Sequence, residues 1–287
     1  MSDLAYNLIR PARRDTSVIF ASPHSGRAYS DAFLRSAVLD QREIRSSEDA
    51  FVDQLFAPAA QYGAAFLAAG APRAYVDLNR ASEELDPALI DGVRRSAHNP
   101  RIASGLGVIP RVVANGRAIY RGKLGLEEVH YRLSRYWRPY HDMLQTLIDE
   151  SHRQFGEAIL IDCHSMPHEA LDAVSQSGGR RPDVVLGDRF GASASSKVIE
   201  RIEAAFANAG LCVVRNTPFA GAYITQNYGR PSWQQHAVQI EIDRALYMDE
   251  RRIEPNANFV AFCEMLDGII QEIAEVGRPA IQRVAAE

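Results

Sequence analysis

The sequence predicts an α/β fold, with a mixed central β-sheet flanked by helices in a single domain spanning residues 1–287. Three observations carry that expectation. Short apolar runs of strand length alternate with longer stretches of helical periodicity. A composition of 46% hydrophobic and 24% charged residues supplies enough apolar material for a large core. No repeat, low-complexity tract or long Pro/Ser linker divides the chain. Strands alternating with helices imply a largely parallel or mixed sheet covered on both faces, and in such sheets sites form beyond the strand ends.

Taken in order, strands are predicted at 17–22 (SVIFAS), 64–69 (AAFLAA), 74–78 (AYVDL), 158–163 (AILIDC), 183–187 (DVVLG), 211–215 (LCVVR) and 236–242 (HAVQIEI). Each is a short apolar run of strand length. Helices are predicted at 48–62, 126–154, 193–209 and 256–276. The first places Phe51, Val52, Leu55 and Phe56 on one face and stops at Gly63, a suitable C-cap. The last repeats Phe259, Phe262, Met265, Leu266, Ile269, Ile270 and Ile273 at helical spacing. Between them, 81–125 has weak periodicity and many Gly, Arg and Asn residues, the signature of a long functional or mobile loop.

Several function classes are excluded by composition. A formal charge of −4 lacks the basic face that nucleic acid requires. No stretch reaches the ~18 uninterrupted apolar residues of a membrane span. The segment MSDLAYNLIRPARRD has no apolar core of a signal peptide. Cys163, Cys212 and Cys263 are an odd, scattered set without CxxC spacing, which argues against a disulfide framework and for a reducing, cytoplasmic setting.

Chemistry concentrates where the predicted strands end. ASPHSG at 21–26 places His24 just beyond an apolar run. In ILIDCHSMP at 159–167, Asp162 and His164 point the same way from one strand, and again a His is followed by Ser. One such His serves a turn; two in matched contexts raise a metal site. Catalytic zinc keeps three protein ligands and an open position, so a carboxylate or a third His is needed. Glu48 and Asp49 in SSEDAFVDQLF are candidates, although Ser46-x-x-Asp49 equally reads as a capping box with acids in a helix's first turn. In HAVQIEIDR, Gln239, Glu241 and Asp243 face away from Val238, Ile240 and Ile242. A carboxylate in an apolar strand is costly to bury unless paired or functional, and burial moves its pKa toward the range of a general base. In AYVDLNR, Arg80 at a strand mouth can grip a carboxylate with its planar fork, with Asn79 beside it, or form a surface salt bridge. His236 lies five residues before Glu241, and Arg121 and Arg132 are candidates to stabilise an oxyanion.

Together, PHSG at 23–26, SED at 47–49, VDLNR at 76–80, RPYH at 138–141, DCHS at 162–165 and VQIEIDRALYMDE at 238–250 resemble the N-formylglutamate amidohydrolase family. The resemblance runs in order from about residue 15 to residue 250. It implies an α/β fold of phosphorylase/hydrolase type, like that of zinc carboxypeptidases and aspartoacylase-type deacylases. It further implies His24, Asp49 and His164 as metal ligands, with Glu48 the alternative carboxylate, Glu241 as catalytic base, and Asn79 and Arg80 as substrate-binding residues. The acid lies about two dozen residues beyond the first His, a departure from the carboxypeptidase pattern. The implied cofactor is one Zn2+ per chain, or another divalent metal in its place. The implied partner is a small N-acyl acidic amino acid, deformylated in the cytoplasm during histidine breakdown. A deacylase for another N-acyl amino acid, or a non-catalytic protein that binds an acidic metabolite, are the alternatives.

Overall fold

A computed structural model of the chain describes residues 4–94, 99–172 and 180–279. Its main sheet has seven strands: β1 (Tyr6–Ile9), β2 (Val18–Ser22), β3 (Ala65–Ala69), β4 (Ala158–Met166), β5 (Val184–Gly187), β6 (Val213–Arg215) and β7 (Gln235–Asp243). They lie in the order β1-β3-β2-β4-β7-β5-β6. β2/β4, β4/β7 and β5/β6 are parallel, whereas β5/β7 is antiparallel, so the sheet is mixed as expected. Its central strands, β2 and β4, are buried along their whole length, which explains apolar runs rather than simple alternation in their sequences. β1 was not expected. It is a four-residue edge strand with partly exposed side chains, too short to leave a periodic signal.

Two departures have local causes. The stretch 74–78 is a turn, not a strand: the amides of Tyr75 and Val76 both donate to the Pro72 carbonyl, and Asp77 Oδ1 accepts from the Asn79 amide. An Asp that bonds the backbone two residues ahead offers an alternative to a sheet ladder. The helix expected from residue 48 starts late, at Val52–Phe56, after Phe51 in the left-handed region at φ 69°. Residues 57–62 continue as a 3₁₀ turn that closes at Gly63, whose φ of 80° suits glycine.

Contacts divide the chain into two compact units, each built from three segments. One comprises Leu8–Ser22, Phe51–Leu67 and Leu144–Glu287. Within it, the helix Phe259–Val276 buries Phe262, Leu266, Ile269, Ile270 and Ile273, while Met265 faces solvent. That helix packs on β2, on the helix Val52–Phe56 and on the helix Ser196–Asn208, which buries Val198, Ile199, Ile202 and Phe206. The other unit comprises Met1–Asn7, Pro23–Ala50 and Ala68–Met143. Its core gathers Tyr29, Phe33, Ile44, Ala74, Val113 and Ile119, with Tyr75 and Tyr120 packed against them. The expected long helix runs from Leu126 through Phe155, with a wider π turn at Leu133–Trp137. Among the described residues no helix is long and apolar enough to cross a membrane.

Candidate active site

Strand register places the first two candidates. Ala21 on β2 pairs with Asp162 on β4, so His24 lies three residues beyond the pairing on one strand and His164 two beyond it on its parallel neighbour. Both therefore sit toward the carboxyl ends of adjacent parallel strands, where open α/β sheets form sites. The chain leaves β2 at Ser22-Pro23; Pro has no N–H to continue a ladder. Glycine at position 26 is required by space rather than by a positive φ: a Cβ there would collide with the carbonyl of Ala71.

Asp49 reaches this region because its segment is not helical. Glu48 is extended, and the Asp49 amide donates to the His24 carbonyl at 3.0 Å. Asp49 Oδ2 lies 3.6 Å from His24 Nδ1. His24, Asp49 and His164 are all buried and form a group whose ligand atoms lie within 4.8 Å of one another, close enough to hold a metal ion. Glu48, the alternative carboxylate, is spoken for: Arg45 holds its two oxygens in a fork of 2.9 Å bonds, and the Tyr29 hydroxyl donates to Oε2 at 3.0 Å.

Each imidazole has a carboxylate close to its Nε2. His24 Nε2 bonds Asp77 Oδ1 at 2.7 Å, and His164 Nε2 lies 3.0 Å from Asp162 Oδ1. Such carboxylate–histidine pairs orient metal-binding rings. Burial alone would raise the Asp77 carboxyl, but His24, Arg73 and Arg80 outweigh it and hold it well below the usual carboxylate range. The sequence reading gave neither Asp77 nor Asp162 a role. The available signal was each acid's spacing, two residues before Asn79 or His164.

Glu241 pairs in register with His164 across the β4/β7 ladder, so the two side chains leave the same sheet face side by side. Glu241 is buried, and Gln239 Nε2 donates to its Oε1 at 2.6 Å. Asn79 and Arg80 are buried too. Arg80 Nε donates to the Leu106 carbonyl at 2.9 Å and Nη1 to the Asn79 carbonyl at 2.8 Å, which fixes the guanidinium plane.

Two other candidates have partners of their own. His236 pairs with Ile159 at the start of β4 and meets Glu157 at 3.5 Å and the Ser195 amide at 3.3 Å, a structural setting. Arg132 sits 3.9 Å over the Tyr75 ring and donates to Glu128 and to the Tyr120 hydroxyl, each at 2.7 Å. That aromatic cage makes it a core residue.

The sequence profile of the N-formylglutamate amidohydrolase family matches residues 16–248. An N-formylglutamate deformylase of Pseudomonas putida is 32% identical over 237 residues, covering 81% of this chain and 82% of its own length. One from Pseudomonas aeruginosa is 30% identical over 262 residues, covering 90% and 91%. The crystal structure of an N-formylglutamate amidohydrolase from Ralstonia eutropha JMP134 superposes with a TM-score of 0.87 at 34% identity, over 94% of this chain and 97% of that one. Matched along most of its length by the family profile and by relatives of like size, the chain belongs to the N-formylglutamate amidohydrolase family.

Proposed function

We propose that this protein hydrolyses the formyl amide of N-formyl-L-glutamate to formate and L-glutamate as a metal-dependent amidohydrolase acting as one catalytic domain. The observation that carries this reading is the buried His24–Asp49–His164 group with Glu241 in register beside His164, in a chain of this family. The names of the curated relatives support the substrate. The interleaving of both compact units along the chain supports one domain. Two imidazoles and one carboxylate are a donor set that suits zinc and leaves a fourth position open. A metal held by His24, Asp49 and His164 would supply Lewis acidity toward the formyl carbonyl and lower the pKa of a water. Glu241 accepts a proton from the attacking water on its carboxylate and returns it to the departing amine nitrogen. Asp77 and Asp162 orient the two imidazoles. Asn79 and Arg80 hold a substrate carboxylate, and the carbonyls that fix the Arg80 plane prepare it before the substrate arrives.

The direct test is formate release from N-formyl-glutamate, compared with N-acetyl and longer N-acyl amino acids. Fast turnover confined to the N-formyl acidic substrate is expected. Preference for a longer acyl group would make the protein a different deacylase, and binding without turnover on any of them would make it a non-catalytic receptor.

Two further outcomes follow. Asp77→Asn is expected to weaken metal binding by roughly 10–100-fold, read by competition with a chelator of known affinity. Unchanged affinity would show that Asp77 does not support His24. Arg80→Ala and Arg80→Lys are expected to lower kcat/KM for N-formyl-glutamate by about 2–5 kcal/mol of transition-state free energy, with metal content unchanged. The wild type should discriminate against N-formyl-glutamine or the α-amide analogue, and Arg80→Ala should largely erase that preference. Equal discrimination by both proteins would return Arg80 to a structural role.

A further inference from the structure

The two carbonyls that flank Asn79-Arg80 are each held by a side chain from one helix. His141 Nε2 donates to the Leu78 carbonyl at 2.9 Å, and Trp137 Nε1 donates to the Arg80 carbonyl at 2.9 Å. These donors stand four residues apart, on one helix face, with ring centroids 4.1 Å apart. Trp137 closes the π turn, where the Arg138 amide reaches back five residues to the Leu133 carbonyl. Such wide turns shift the helix face and recur at functional sites. Burial pushes the His141 imidazole down to about 4, against the opposing pull of the Leu78 carbonyl, so the ring is neutral at ordinary pH. A neutral ring that donates from Nε2 is a fixed donor, not a titrating one.

We propose that Trp137 and His141 are positioning residues that clamp the backbone on both sides of Asn79-Arg80 and so set substrate affinity and carboxylate discrimination. The proposal rests on the carboxylate-binding role of Arg80 given above. Arg80 donates to the carbonyl of its own neighbour Asn79, so the guanidinium is only as well placed as the 78–80 backbone. Without the clamp that backbone can shift, and a planar two-point grip loses strength steeply with small misplacement.

The test uses Trp137→Phe, which keeps a ring and removes the indole N–H, and His141→Phe, which keeps a ring against Trp137 and removes the donor. His141→Gln, which restores an amide N–H, is the rescue variant. Trp137 is only partly buried and borders an open pocket with Ser82, Leu85 and Leu133, so the Phe variant should fold. Both Phe variants are expected to raise KM for N-formyl-glutamate about tenfold, with kcat within about twofold of wild type. Metal content should be unchanged, discrimination against the uncharged analogues should shrink, and His141→Gln should recover part of the affinity. If both Phe variants keep wild-type KM and discrimination while Arg80→Ala loses discrimination, the clamp is refuted and the role of Arg80 stands. If Arg80→Ala itself keeps discrimination, the carboxylate reading fails and the clamp with it. A fall in kcat at unchanged KM would also refute the clamp.

Discussion

His24→Ala and His164→Ala are each expected to leave the purified protein without bound metal and without turnover of N-formyl-glutamate. The three candidate ligand atoms lie within 4.8 Å of one another in a buried setting, so removing one imidazole leaves two donors where a catalytic zinc site uses three. Each substitution also deprives a buried carboxylate of its imidazole neighbour, Asp77 beside His24 and Asp162 beside His164. Elemental analysis after dialysis, alongside a formate-release assay, reads both effects. Full metal content in both variants would eliminate the site. The neighbouring acids provide an internal control. Asp49→Asn should lose metal, whereas Glu48→Gln should keep it and lower the melting temperature, because Glu48 is tied to Arg45 and Tyr29. The reverse result would exchange their assignments.

Glu241→Gln should bind metal normally and turn over roughly 10²–10⁴-fold more slowly, the usual contribution of a positioned general base. The change is isosteric and removes only the capacity to take and return a proton. Its place in the β7 ladder depends on backbone pairing with β4 and is unaffected by the side chain. The loss should therefore appear in kcat rather than in KM. A variant with near wild-type kcat would show that Glu241 supports the sheet and moves no proton.

Legibility in the sequence followed the range of the interaction. β2, β3, β4, β5 and β7 were readable because their apolar runs record burial, the half-buried β6 because it is apolar too, and side chains along any strand alternate with a fixed period of two. The same period put Asp162 with His164 and Gln239 with Glu241 on common faces before any partner was known. AYVDL carries the composition of a strand, but the Pro72 carbonyl and the Asp77 side chain bend it into a turn. Ser46-x-x-Asp49 carries the pattern of a helix start, but the Asp49 amide bonds the His24 carbonyl instead. In both cases a local pattern lost to a specific hydrogen bond that periodicity does not encode.

By itself the sequence determined six of the seven strands of the main sheet, the helices Ser196–Asn208 and Phe259–Val276, the two histidines at strand ends and the facing of Glu241. Only the tertiary structure distinguished the surroundings of Glu48 and Asp49, two adjacent acids of the same chemistry. It gave Glu48 to Arg45 and Tyr29, and brought Asp49 to 3.6 Å from His24. It also made Asp77 a partner of His24 across 53 residues of chain, and placed Arg132 in an aromatic cage. The physical reason is one of distance along the chain. A side chain's face is set by its own backbone, which neighbouring residues dictate, whereas its partner is set by which distant segments pack together when the core closes.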